Sequence, residues 1–286
     1  MSAGSPASPD GPRTAEAAID SATSRSGRDR RPVTIVTGAA GGIGAGIVRV
    51  LAGRGHEVVG FDIAPGPGIR VVDITDSASV QRAVEQVVGS YGRIDGLVNN
   101  AAIGPLGTVL DTDDEVLDRI LAVNVKGAFF TARAVLGPMV AARSGSIVNI
   151  GSGAGHGKAN MAAYAASKAA VHGLSASMAY DYFADRIRVN TVIPGGGGIP
   201  SGISLGRFGG TAEEYAALPH SGSVAGRPVD PLDVGRAVAY LLSDDAVAVS
   251  GTIVDVGCMA GQGGPLKVAI PSEAGPTPPA ASGGRP

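Results

Sequence analysis

Two residues in an otherwise plain stretch are equipped for proton chemistry. In "NMAAYAASKAA", residues 160–170, Tyr164 and Lys168 stand four positions apart among alanines. That spacing is about one helical turn, so it predicts that both side chains project from one face of a helix. A free phenol titrates near ~10, too high for a base at neutral pH. An ammonium about 4 Å away, at an effective dielectric of about 20, contributes roughly 4 kcal/mol. That would bring a phenol from ~10 toward 7, where proton transfer is efficient. On a solvated face the same pair does nothing; facing a pocket it is an acid/base.

A second group of residues suits a phosphorylated ligand. "VTIVTGAAGGIGAGIV" sets Gly38, Gly42, Ile43 and Gly44 between an apolar run and a helical pattern. Glycines there let the backbone turn tightly and approach a ligand without Cβ obstruction. The helix amino end then presents free N–H groups and partial positive charge to a pyrophosphate. The strand before and the helix after are the context that this mechanism requires, as against a merely structural turn. Asp62 closes the next apolar run, "EVVGFD", where a dinucleotide fold sets an acid against the adenosine ribose. A carboxylate accepts from both ribose hydroxyls and repels a 2′-phosphate. Ile63 follows it, and positions 39–41 are Ala, Ala and Gly, none of them basic. NAD is therefore expected rather than NADP; a solvated aspartate at a strand end is the plain alternative.

Two polar residues complete the set. Ser152 follows "SIVNI" and so falls at the carboxyl end of a predicted strand, where parallel sheets open their ligand crevice; an ordinary turn serine is the alternative. Asn124 lies in "VLDRILAVNVKGAFF" on the stripe of Leu117 and Leu121, polar where helical spacing expects an apolar residue. It needs partners, because a buried unpaired amide costs roughly 1–3 kcal/mol. Bonds to neighbouring backbone would also satisfy it.

The elements that must position these groups read as strands at 33–38, 57–62, 69–73, 96–101, 146–152, 187–195 and 252–257. They are near-continuous apolar runs, as expected for strands covered on both faces. Helical patterns at 42–54, 77–90, 113–142, 163–184 and 231–243 separate most of them. This alternation predicts an α/β fold, a doubly wound parallel sheet of Rossmann type. The expected organisation is a loose N-terminal tail over 1–31, one catalytic domain over 32–264 and a flexible tail over 265–286. Within the domain, the Gly-rich stretch from Gly195 to Pro228 is long for a connection and is expected to be functional or mobile.

Composition narrows the class. The 286 residues carry a net charge of −2, which gives no general footprint for nucleic acid. The single cysteine, Cys258, excludes an intrachain disulfide and reads as a small packed side chain suited to a reducing cytosol. No run approaches the ~18 uninterrupted apolar residues of a membrane span. The N-terminus lacks the apolar segment of a secretory signal, so the expected location is the cytoplasm. The four histidines show no metal-ligand spacing.

Taken in order, "TGAAGGIG", "NNAA" (99–102), "NVKG" (124–127), the Ser152 segment, "YAASK" (164–168) and "PG" (194–195) resemble the single-domain short-chain dehydrogenase/reductases over about 32–264. The resemblance implies an enzyme with Tyr164 as general acid/base and Lys168 lowering its pKa while holding the nicotinamide ribose. Ser152 orients the substrate oxygen, and Asn124 anchors a water linking the lysine to solvent. It further implies Asp73 and Ile74 at the adenine, Asn100 along the cofactor, and Pro194, Gly195, Gly197 and Ile199 beside it. The stretch after Gly195 covers the substrate in this family. Here Ile199, Ile203, Leu205, Phe208 and Leu218 make it mostly apolar, which fits a neutral secondary alcohol or its ketone. Arg207 is the residue there that can hold an acidic group, and His156 and His220 read as solvated loop histidines. A homodimer or homotetramer through the helices at 113–142 and 163–184 is implied by the same resemblance. A biosynthetic NAD(P)H-dependent ketoreductase and a non-catalytic dinucleotide sensor are the alternative functions.

Several positions depart from the family pattern. Ala102 replaces the usual glycine of "NNAG", and twelve residues rather than thirteen separate Ser152 from Tyr164. Ile199 stands where threonine is common, and "DGG" reads Asp255-Val256-Gly257. None of these removes a catalytic group.

Overall fold

The computed structural model describes residues 31–195, 199, 201–217 and 227–257. Gly197, Cys258, Leu218, His220, most of the N-terminal tail and the whole C-terminal tail lie outside them. The described chain forms one seven-stranded sheet, every neighbouring pair parallel. Its strands are β1 Val33–Thr37, β2 Glu57–Asp62, β3 Ile69–Val71, β4 Gly96–Asn99, β5 Gly145–Ile150, β6 Ile187–Pro194 and β7 Ile253–Val256. The order across the sheet is β3-β2-β1-β4-β5-β6-β7. After β1 the chain winds to one side; before β4 it crosses to the other. The carboxyl ends of β1 and β4 therefore flank the switch point, where open α/β sheets bind ligands.

Pleating explains the apolar runs. Ile35, Leu97, Ile147 and Val189 face one layer of helices, while Val36, Val98, Val148 and Val192 face the other, and all eight are fully buried. The first layer holds α2 (Ser77–Tyr91), α4 (Ala128–Ala142) and α5 (Ala162–Asp181); the second holds α1 (Gly42–Gly53) and α8 (Pro231–Leu242). Helices α1 and α8 touch backbone to backbone. A Cβ on Gly46 would lie 2.3 Å from Pro231, and one on Gly235 2.8 Å from Val50.

Three local outcomes differ from the predicted elements. β3 stops at Val71 because the Asp73 carboxylate accepts from the backbone N–H and hydroxyl of Thr75, turning the chain. The helix expected over 113–142 is α3 (Asp114–Leu121), a π-helical turn Ala122–Gly127, then α4. It is long and apolar enough to cross a bilayer by length and composition, but half of its most apolar window is buried inside the fold, and Asn124 and Lys126 interrupt it. The stretch after β6 carries two short helices, α6 (Gly202–Phe208) and α7 (Ala212–Ala217). Ser201 caps α6 by accepting from the Ser204 N–H.

Candidate active site

At the carboxyl edge of the sheet the glycine turn is built by close approach. Gly38 takes a left-handed φ of 64°, and a Cβ on Gly44 would lie 1.9 Å from the Gly38 carbonyl oxygen. Gly44 is thus buried packing beneath the turn, whereas Gly38, Gly42 and Ile43 line the cleft. Asn100 fastens the turn from β4: its side-chain amide donates to the Thr37 and Gly38 carbonyls at 3.0 Å each. Asp62 fastens it from β2, accepting from the Ala40 N–H at 3.0 Å and, through its other oxygen, from the Ala64 N–H at 3.0 Å. The carboxylate is half-buried and lines the same cleft.

The cleft, about 1420 Å³, runs from this turn to the carboxyl ends of β5 and β6 and under α6. Pro194, Gly195 and Ile199 line it, Ile199 with its side chain in the second core layer and its carbonyl accepting from the Ser204 hydroxyl. A Cβ at Gly195 would meet Val229 at 2.6 Å, so the chain can pass between core and cleft only as glycine. Asp73 and Ile74 are not among the lining residues. One oxygen of Asp73, Oδ1, accepts both bonds from Thr75, and Ile74 packs on Gly127 of the π-helical turn.

Tyr164 and Lys168 lie on one face of α5, as the spacing predicts, and both are buried. The detail differs from the simple electrostatic picture. The Lys168 ammonium donates to the Ile150 carbonyl at 2.7 Å and sits 5.9 Å from the Tyr164 ring centroid. Arg207, reaching in from α6, is the nearer cation, with its guanidinium carbon 4.9 Å from that centroid. Burial pushes the phenol above its usual value, while the Ser152 hydroxyl and the Arg207 charge pull it back. Burial also pulls Lys168 down to about 8. Ser152 stands just past β5 as expected, starts the 3₁₀ turn Gly153–His156 by accepting from the Ala154 N–H, and faces the phenol.

Asn124 occupies the π-helical turn, a feature frequent at functional sites. Both ends of its amide are engaged: the oxygen accepts from the Ile103 N–H, and the nitrogen donates to the Ile103 carbonyl and the Ser167 hydroxyl. It does not line the cleft. It ties the loop after β4 to α5, one residue from Lys168. Sequence reasoning missed Ser167 as its partner and Gly104 as the floor beneath Tyr164. Among the described residues no grouping of three or more His, Cys, Asp or Glu side chains is arranged to hold a metal ion.

The described groups fit a dinucleotide. The turn leaves no room for Cβ atoms at Gly38 and Gly44, the space beyond Gly41 is open, and a carboxylate stands at the end of β2. Fold and cleft together define a Rossmann-type dinucleotide-binding oxidoreductase. Residues 38–258 match a family model described as enoyl-(acyl carrier protein) reductase, and the chain belongs to the short-chain dehydrogenase/reductase family. It is 36% identical over 243 residues to the oxidoreductase UcpA of Escherichia coli K12, covering 78% of this chain and 92% of that one. It is also 36% identical to 2-(S)-hydroxypropyl-CoM dehydrogenase 3 of Xanthobacter autotrophicus, covering 79% and 95%. The solved ligand-free aldohexose dehydrogenase of Thermoplasma acidophilum superposes with a TM-score of 0.72 at 31% identity, covering 80% of this chain and 94% of that one.

Proposed function

We propose that this protein transfers hydride between NAD(H) and a secondary alcohol or its ketone, with Tyr164 as the general acid/base. The observation that carries this is the burial of Tyr164 beside Ser152 at the carboxyl ends of the strands, in one cleft with the glycine turn and Asp62. Bound NAD would supply the hydride acceptor. Tyr164 takes the hydroxyl proton in oxidation and returns it in reduction. Ser152 holds the substrate oxygen against the phenol. Lys168, fixed by the Ile150 carbonyl, lends positive charge to that end of the cleft. Asn124 braces the wall. The relatives named as dehydrogenases of a hydroxypropyl compound and of an aldohexose favour alcohol oxidation as the working direction.

NAD is proposed over NADP on the strength of Asp62, which is followed by exposed Ile63 with no basic residue at 39–41. Initial rates over a panel of cyclic and aliphatic secondary alcohols test both statements. Turnover is expected with NAD and much less with NADP, and Asp62→Ala should narrow the ratio by about tenfold, the value of one charge-assisted hydrogen bond. A native preference for NADP would overturn the assignment. It would favour the ketoreductase reading, which the matched model's description as a reductase supports. A homo-oligomer is proposed from the exposed Phe129 on α4 and Tyr180 on α5.

A further inference from the structure

The reactive end of the cleft carries a cation whose bonding is incomplete. Arg207 lies near the end of α6 and is half-buried. Its Nε donates to the Gly104 carbonyl at 2.7 Å, which holds the guanidinium carbon 4.9 Å from the Tyr164 ring centroid. Gly104 permits this close approach: a Cβ there would lie 2.7 Å from Nη2 and 2.8 Å from the phenol ring. Nη2 is buried and has no hydrogen-bond partner. Among the described residues no carboxylate lies within ion-pair distance of Arg207, and the only acid lining the cleft is Asp62, away at the end of β2. Of the other lining cations, Lys168 is engaged by Ile150 and Lys158 is exposed.

A clasp between α6 and the loop after β4 needs only Nε. The two remaining nitrogens of the fork match the paired oxygens of a carboxylate. A buried charged donor left without an acceptor is costly, and a ligand that supplies the acceptor removes that cost. The apolar Ile203 and Phe208 beside it suit the carbon skeleton between the two polar ends.

We propose that Arg207 anchors a carboxylate borne by the substrate, so that the preferred substrates are hydroxy acids and oxo acids rather than neutral alcohols and ketones. The inference rests on the alcohol dehydrogenase reading, and its test has an arm that does not.

In the binding arm, NAD-loaded protein is titrated calorimetrically with cyclohexanecarboxylate and with cyclohexanecarboxamide. The acid should bind about 10–100-fold more tightly, as expected for charge-assisted bonds, and Arg207→Met should bring the two together. In the kinetic arm, kcat/KM for a hydroxycyclohexanecarboxylate is divided by that for its amide. The ratio should exceed about ten in the wild type and fall toward one in Arg207→Met, with Arg207→Lys between. Equal binding of acid and amide by the wild type overturns the proposal whether or not any variant folds. So does a loss in Arg207→Met that is the same for acid and amide, which is the signature of a clasp alone. If no alcohol turns over yet the carboxylate binds through Arg207, the dehydrogenase reading fails and the anion site stands.

Discussion

Two buried polar regions lie side by side in this molecule, and they are finished differently. Between the sheet and its first helical layer, Thr131 donates to Asn99, Asn99 to Asn149, Asn149 to Ser175, and Ser175 to the Val171 carbonyl, at 2.6 to 2.9 Å. Each amide and hydroxyl in that chain has its partner, and the chain joins β4 and β5 to α4 and α5. At the cleft, Lys168 holds one acceptor, while Nη2 of Arg207 is buried with none. That chain of bonds is complete without a ligand and serves as scaffold. The second region keeps polar capacity in reserve, which is what a site for substrate requires.

The contrast can be broken by exchanging polar for apolar groups in each region. Lys168→Met should reduce turnover by about 100-fold or more, by loss of the charge beside the proposed acid/base. Yet it should leave stability equal or higher, because a buried ammonium is costly. The sign with pH follows from linkage. Unfolded lysine keeps its proton up to about 10.5, while folded Lys168 gives it up near 8, so the unfolded chain binds more protons between those values. Lys168 therefore adds stability as pH rises through that window, at most about 1.4 kcal/mol per pH unit, and the gain disappears as pH falls through 8. The raised Tyr164 acts oppositely above its ordinary value. Denaturant midpoints across pH should show the positive slope in wild type and its absence in Lys168→Met. Asn149→Leu is the smaller, opposite case: about 2–3 kcal/mol of stability lost, with turnover per folded molecule retained. Equal stability losses in the two variants would erase the distinction between scaffold and site.

Much of this was legible in the chain because it is local. A strand running into Gly38–Gly44, an acid closing β2, and a tyrosine and lysine one turn apart are set by short-range geometry, and the sheet and its helices follow from the burial pattern. What depended on the fold was less legible. The spacing of Tyr164 and Lys168 fixes a shared face but not where a four-carbon side chain ends, and the Ile150 carbonyl claims that end. Arg207 stands over the phenol although forty-three residues separate them in sequence, a juxtaposition no local pattern encodes. Asn124 announced itself as a polar residue in an apolar stripe, but its partners and the π-helical turn that seats it come from the meeting of α5 with the loop after β4. β3 ended two residues short of its predicted end because the Asp73 carboxylate turns the chain, which no apolar run announces.

The central claim is that the buried phenol of Tyr164 moves the substrate's proton. The most direct measurement compares Tyr164→Phe with wild type for alcohol-dependent reduction of NAD, with NAD affinity measured calorimetrically on both. Turnover should fall by about 10²–10⁴-fold, the usual worth of a positioned acid/base, while NAD affinity is retained. A phenylalanine variant that turns over at the wild-type rate would contradict the account.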